Sequence, residues 1–164
     1  MLQIVTSMRA LDFASLMDIY EEGNRENGRE NYPREPEEVQ RFLAEQDFHQ
    51  YLRECFFTTP GAFYALWKPV GMAVSALRME PYRDGLLLAA LETAPAHRKK
   101  GHAAALIQAV LAEVGDRKIY SHVSKRNKAS LRTHEVCGFR KILDYAVYAD
   151  GSVLQSSVTL CYEP

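Results

Sequence analysis

The run Leu86-Leu87-Leu88-Ala89-Ala90-Leu91 leads through Glu92-Thr93-Ala94-Pro95-Ala96-His97 into Arg98-Lys99-Lys100-Gly101-His102-Ala103, and its reading decides the fold. The leading run is apolar without alternation, the pattern of a strand buried on both faces. Downstream, Ala103, Leu106, Ile107, Val110, Leu111 and Val114 recur at helical spacing. A central strand, a basic turn with one glycine and a helix therefore follow one another. Such a junction leaves the first N–H groups of the helix without partners and adds the positive end of its dipole. A phosphate or pyrophosphate is the expected guest. Gly101 and Ala103 are small enough for a ligand to approach the main chain. The turn is not a Walker loop, since no Gly-Lys-Ser/Thr follows, and the G-x-G-x-x-G spacing of a dinucleotide fingerprint is absent. Read alone, it fits equally a positively charged surface turn that caps a core helix.

Working outward, residues 2–6 read as a strand and residues 8–25 as a helix carrying Leu11, Leu16, Ile19 and Tyr20. Residues 23–36 break the pattern and are expected to form a loop, punctuated by Pro33 and Pro36. A helix over 37–54 follows, anchored by Val39, Phe42, Leu43, Tyr51 and Leu52. Residues 62–67 and 70–79 suggest a hairpin around Lys68-Pro69, and Asp84-Gly85 is a turn before the strand 86–93. Gly115-Asp116 ends the helix after the basic turn. A strand over 118–123, a helix over 129–136, and strands over 139–148 and 153–162 joined at Asp150-Gly151 complete the chain. The order β-α-α-β-β-β-α-β-α-β-β describes an α/β (α+β) domain with a twisted, mixed sheet flanked by helices. No repeat or linker divides residues 1–164, so a single domain is expected.

The chain has 164 residues, enough for one core. A net charge of −1 gives no general pull toward nucleic acid or an anionic membrane. No apolar run approaches the ~20 residues of a membrane span. Met1-Leu2-Gln3-Ile4-Val5-Thr6 shows neither a basic segment nor a cleavage site, and a cytoplasmic location is the expectation. Cys55, Cys137 and Cys161 are odd in number and widely spaced, which argues against a disulfide framework and against a metal site.

At Arg98-x-x-Gly101-x-Ala103 the chain resembles the GNAT superfamily of N-acetyltransferases, whose motif is Gln/Arg-x-x-Gly-x-Gly/Ala. Leu91, Thr93, Pro95 and His97 fall where that family often has an apolar residue, a β-branched residue, proline and an aromatic. Asn127-x-x-Ser130, followed by Cys137-Gly138-Phe139, resembles the family's Asn-x-x-Ala/Ser segment leading to Gly-Phe. The resemblance spans roughly residues 86–139, and the element order fits over the whole chain.

The resemblance implies acetyl-CoA as cosubstrate, with no metal. Main-chain amides from Arg98 through Lys99, Lys100, Gly101 and His102 to Ala103 would hold the pyrophosphate, as fixed donors that need no reorganisation. The three cationic side chains would add attraction, or simply form a solvated face. The backbone of Leu91 and Thr93 would pair with the pantetheine arm, in a slot opened by a splay from residues 118–123. Asn127 and Ser130 would contact the coenzyme, although Asn127 reads equally as a helix N-cap.

Many family members have a tyrosine four residues before the Gly of Gly-Phe, which protonates the departing thiolate. Here that residue is His134. An imidazole with an ordinary pKa of ~6.5 could serve as general acid, or could be a helix-surface residue without that duty. The family's mid-strand glutamate is absent, which leaves Glu92 at the strand end as the candidate general base. His97 and His122 are further candidates. The acceptor side carries Glu21, Glu22, Glu26, Glu30, Glu35, Glu37 and Glu38 against Arg25, Arg29 and Arg34. An acidic rim would attract a cationic amine, small molecule or peptide; a solvated loop is the plainer reading. Tyr20, Tyr32, Phe56, Phe57, Trp67, Tyr145 and Tyr148 could line a pocket. The terminal hairpin offers edges for a homodimer. Two other functions fit the same residues: an acyl-CoA-binding sensor without turnover, and a nucleotide-phosphate binder.

Overall fold

Seven strands form one mixed sheet, ordered in space as Leu2–Val5, Phe63–Trp67, Ser75–Tyr82, Gly85–Thr93, Ile119–Ser124, Ser157–Tyr162 and Arg140–Leu143. The computed structural model describes residues 1–164. The strands are β1 (Leu2–Val5), β2 (Phe63–Trp67), β3 (Ser75–Tyr82), β4 (Gly85–Thr93), β5 (Ile119–Ser124), β6 (Arg140–Leu143) and β9 (Ser157–Tyr162), and a separate ribbon pairs β7 (Ala146–Val147) with β8 (Val153–Leu154). The helices are α1 (Phe13–Ile19), α2 (Glu21–Asn31), α3 (Glu37–Glu54), α4 (His102–Val114) and α5 (Lys128–Val136). Within the large sheet β4 and β5 alone run parallel; every other neighbouring pair is antiparallel.

Alternation along the strands divides the core between the two sheet faces. On one face Tyr64 and Leu66 pack with Leu16, Ile19, Leu52 and Phe56 from α1, α3 and the turn after it. On the other, Leu77, Leu86, Leu88 and Ile119 meet Leu106, Ile107 and Val110, all fully buried. These three α4 residues belong to the stripe read from the sequence. Each buried aliphatic side chain contributes roughly 1.5–3 kcal/mol, which holds α4 against the sheet and fixes where its N-terminus lies.

Four expectations about the elements are corrected. Residues 21–31, read largely as loop, form α2, and only Tyr32 to Pro36 separate it from α3. The inward face of α2 is Asn24 and Gly28 rather than apolar residues. Gly28 is closed off by α3: a Cβ there would lie 2.6 Å from the Gln40 carbonyl oxygen. Close helix approach thus replaces a hydrophobic stripe. The helix expected over 8–25 is divided, because Asp12 caps α1 by accepting from the Ser15 N–H at 3.2 Å. The strand expected from residue 70 starts at Ser75, since Gly71 adopts a left-handed turn with φ +74°. The last two strands are each broken, so Asp150-Gly151 closes the small β7–β8 ribbon while β6 pairs with the far edge of β9. The Tyr82 hydroxyl donates to the Val147 carbonyl and ties that ribbon to the sheet.

Candidate functional site

Strands β4 and β5 pair only at Leu86–Ile119, Leu87–Tyr120 and Leu88–Ser121. Beyond Leu88 they separate. The divergence coincides with a bulge in β4. Ala76 faces Glu92 and Arg78 faces Ala89, so Ala90 and Leu91 together oppose Leu77. Ala90 takes the left-handed φ of +51°, and the Tyr20 hydroxyl donates to its carbonyl oxygen at 2.5 Å. The Ala94 N–H bonds Val74 O at 2.9 Å on the β3 side. Two-residue alternation therefore turns the main-chain groups of Thr93 and Leu91 the other way, toward the gap left by β5. Ser75 secures this strand end, its hydroxyl donating to Glu92 O at 2.7 Å and lying 2.9 Å from the Thr93 hydroxyl.

The gap widens into a cleft of about 580 Å³. One wall is Leu91, Glu92 and Thr93; the other is Asn127, Ala129, Ser130 and Thr133; its floor is the turn into α4. Backbone N–H groups from Lys99 to Ala104 have no acceptor within the protein. Lys99 (φ +61°) and Gly101 (φ +79°) are left-handed, a conformation that turns successive amides toward one concavity. A Cβ added at Gly101 would meet nothing within 4 Å. The turn is thus an open cradle of fixed donors at a helix N-terminus, chemically matched to a pyrophosphate.

The cationic side chains are arranged less simply. Arg98 and Lys99 line the cleft with Gly101, His102 and Ala103. Arg98 folds back: its Nε donates to Thr93 O at 3.1 Å, and its guanidinium meets Glu22 at 2.7 Å and Glu92 at 3.7 Å. Lys100 does not line the cleft, and its ammonium donates to Ala96 O at 3.2 Å. On the opposite wall Asn127 caps α5, accepting from the Ser130 N–H at 3.0 Å. Both residues also face the cleft.

Glu92 lies half-buried in the cleft wall, where burial pushes its pKa up, Arg98 opposes the shift and Glu22 and Glu26 add to it. His134 is placed otherwise. It is 1% exposed, so the helix-surface alternative is corrected. It is absent from the cleft lining and stacks edge-on against Phe139, with ring centroids 5.1 Å apart. Its Nδ1 sits 2.8 Å from Ser130 O, so the proton belongs on Nδ1, and its buried Nε2 has no partner. Burial lowers its pKa, partly opposed by the Ser130 bond. A readily charged imidazole is therefore not what this environment favours. His97 lines the cleft; His122 packs instead against Tyr82 and Tyr148, outside it. None of the three cysteines lines the cleft, and burial pushes the Cys137 and Cys161 thiols up.

A second cavity, of about 360 Å³, lies under α2 and α3 and shares Gly23 with the cleft. Ala90 of the bulge lines it, as does Tyr20. Phe56, one of the expected pocket aromatics, belongs to the core instead. Three of the seven glutamates of the acidic rim are matched by cations: Glu21 pairs with Arg25 at 3.0 Å, Glu37 with Arg25 and Arg29 at 3.7 and 3.8 Å, and Glu22 with Arg98. The sequence reading did not single out Arg78, which also lines this cavity. Its signal was present: one charged residue between the apolar Leu77 and Met79 of a buried strand.

The sequence model of the acetyltransferase (GNAT) family matches residues 13–139. No curated protein matches the sequence. Among solved structures, the fold is similar to PaiA N-acetyltransferase from Thermoplasma acidophilum, crystallised with coenzyme A, at 12% identity and a TM-score of 0.64, covering 100% of this chain and 99% of that one. It is likewise similar to the ribosomal-protein-S18-alanine N-acetyltransferase of Escherichia coli, at 16% identity and a TM-score of 0.62, covering 99% and 94%. An aminoglycoside 6'-acetyltransferase of type Ii matches at 15% identity and a TM-score of 0.62, covering 99% and 96%. No helix is long and apolar enough to cross a membrane.

Proposed function

This chain belongs to the acetyltransferase (GNAT) family, and we propose that it moves the acetyl group of acetyl-CoA to a primary amine by direct attack in a ternary complex. The observation that carries the reading is the run of unpaired amides from Lys99 to Ala104 at the floor of a cleft opened by two diverging strands. Acetyl-CoA supplies an activated acyl carbon, and this chain supplies the positioning. The turn amides hold the pyrophosphate, joined by Lys99 and by Arg98 once it exchanges Glu22 for phosphate. The main-chain groups of Leu91 and Thr93 take the extended arm as an added strand. Asn127 and Ser130 close the far side.

The amine nitrogen bonds to the acyl carbon, the carbon–sulfur bond breaks, and the sulfur keeps the electron pair. An ordinary amine with a pKa near ~10 must first shed a proton. Glu92 receives it, directly or through water, and the raised pKa of this half-buried carboxyl suits a base working near neutrality. Attack leaves a second surplus proton on the nitrogen, and it passes through water to the departing sulfur, a modest base. His134 as general acid needs a proton on Nε2, where this structure offers a lone pair. Direct attack is favoured over an acyl-enzyme because no thiol faces the cleft.

Calorimetric binding of acetyl-CoA, coupled to a thiol-release assay across a broad amine panel, tests the reading. Binding with release supports it. Binding without release favours the sensor, and displacement of coenzyme A by ATP favours a nucleotide-phosphate binder.

A further inference from the structure

Arg78 has no hydrogen-bond or ion-pair partner within the protein. It stands on β3 opposite Ala89, beside the bulge, on the sheet face covered by the first three helices. Its neighbours Leu77 and Met79 are fully buried. Its Nε is buried without a hydrogen-bond acceptor, and no carboxylate forms an ion pair with it. Only rings attend it: the guanidinium carbon lies 5.1 Å from the Tyr51 ring centre and 5.7 Å from that of Phe56. Aromatic faces attract a cation but accept none of its directed N–H bonds. A buried guanidinium nitrogen without an acceptor is costly, so a fold retains it poorly unless something else completes it.

The guanidinium borders the second cavity, together with Tyr20, Asn24, Asn27, Tyr51 and Ala90. At about 360 Å³ this is at the small end of ligand sites. Gly23 lines both spaces, Ala90 of this one precedes Leu91 of the cleft wall, and on the cleft side lie Glu22, Glu26 and Glu92. The chamber therefore holds one cation and no carboxylate, whereas the adjoining cleft carries three. A small molecule carrying both an amine and an acid matches this charge distribution with its acid on Arg78 and its nitrogen toward the cleft. We infer that Arg78 receives the carboxylate of the acceptor, which makes the acceptor a small amino-carboxylate. The inference rests on the acetyltransferase reading and narrows its substrate class from any primary amine.

The test uses the full chain with saturating acetyl-CoA. Thiol release is measured for the standard amino acids, β-alanine and γ-aminobutyrate, each against its own carboxamide. Charge-assisted hydrogen bonds of this kind contribute enough to change affinity by about 10- to 150-fold. At least one acid should therefore exceed its amide in kcat/KM by about that factor. Arg78→Gln should remove the preference mainly through KM, leave the amide within about threefold, and leave acetyl-CoA affinity unchanged; Arg78→Lys should restore part of it. Equal use of acid and amide overturns the inference, as does an equal effect of Arg78→Gln on both. Acetyl-CoA binding with no member of any pair acetylated overturns it too, while the coenzyme site stands. Failure to bind acetyl-CoA at all overturns the acetyltransferase reading and this inference with it. Should Arg78→Gln not fold, the acid-against-amide comparison on the unaltered protein decides alone.

Discussion

Replacing Gly101 separates what the turn does for the fold from what it does for the ligand. At φ +79° an L-residue pays about 1–2 kcal/mol for the left-handed conformation. Part of that is offset, by about 0.4–1 kcal/mol, because a residue with a Cβ also has a less flexible unfolded chain. No steric cost adds to it, since a Cβ there meets nothing within 4 Å. Gly101→Ala should thus lose about 1 kcal/mol, or roughly 2–4 °C in Tm for a chain of this size. Binding should suffer far more. The added methyl stands in the cradle lined by the unpaired amides, and holding an anionic oxygen away from two of them forfeits about 1.5–3 kcal/mol for each bond. Acetyl-CoA affinity should fall about 100-fold or more, and Gly101→Glu, which adds a negative charge, should abolish it. Thermal unfolding and titration calorimetry on the same samples give both numbers. Undiminished affinity in the alanine variant would refute the cradle; a fall of more than about 8 °C would show that Gly101 chiefly serves packing.

Gly28→Ala sets a helix-propensity gain of about 1 kcal/mol against a Cβ placed 2.6 Å from the Gln40 carbonyl oxygen. Backbone cannot yield that far cheaply, so urea unfolding should show a net loss of about 1–3 kcal/mol; a stabilised variant would mean that α2 and α3 stand further apart. Glu92→Gln should lower kcat about 10²- to 10⁴-fold and remove the rise of rate with pH, with acetyl-CoA affinity retained; an unaltered pH–rate profile would place the base elsewhere. Burial holds the His134 imidazole below its usual pKa, so near and below pH ~6.5 the unfolded chain binds more protons than the folded one. Stability is therefore fully present above about pH 6.5 and is lost as pH falls through the lower folded pKa. His134→Gln should lose less stability than the unaltered protein between pH 7.5 and 5.5, with kcat within about threefold; equal losses would disprove the buried neutral state, and a hundredfold fall in kcat would restore the general-acid role.

The sequence disclosed the parts of the fold that rest on periodicity. Leu106, Ile107 and Val110 face the sheet as their spacing requires, and the strand before the basic turn is central. Helix α2 was hidden because its contact face is Asn24 and Gly28, residues that in a bare sequence speak for a loop. The breaks within the last strands depend on which segments find partners across the sheet, and no local pattern carries that. Asn127, Ser130 and the turn were legible at the site because both main-chain cradle and cap are local. His134 was legible as a position but not as an environment: its burial comes from Phe139 and the surrounding packing. Arg78 was visible as a charge, but its lack of an acceptor is a property of three helices and a sheet together.

The left-handed alanine in β4 has a consequence for anyone who sets out to make this protein tougher. At φ +51° Ala90 is strained where glycine would rest, so Ala90→Gly is a natural first choice for a thermostabilising library, with a gain of about 1 kcal/mol. The same residue walls the chamber that Arg78 borders, and the Tyr20 hydroxyl fastens it there. Screening by melting temperature alone would reward slackening that wall, and selection for heat resistance and selection for turnover would part company at one methyl group.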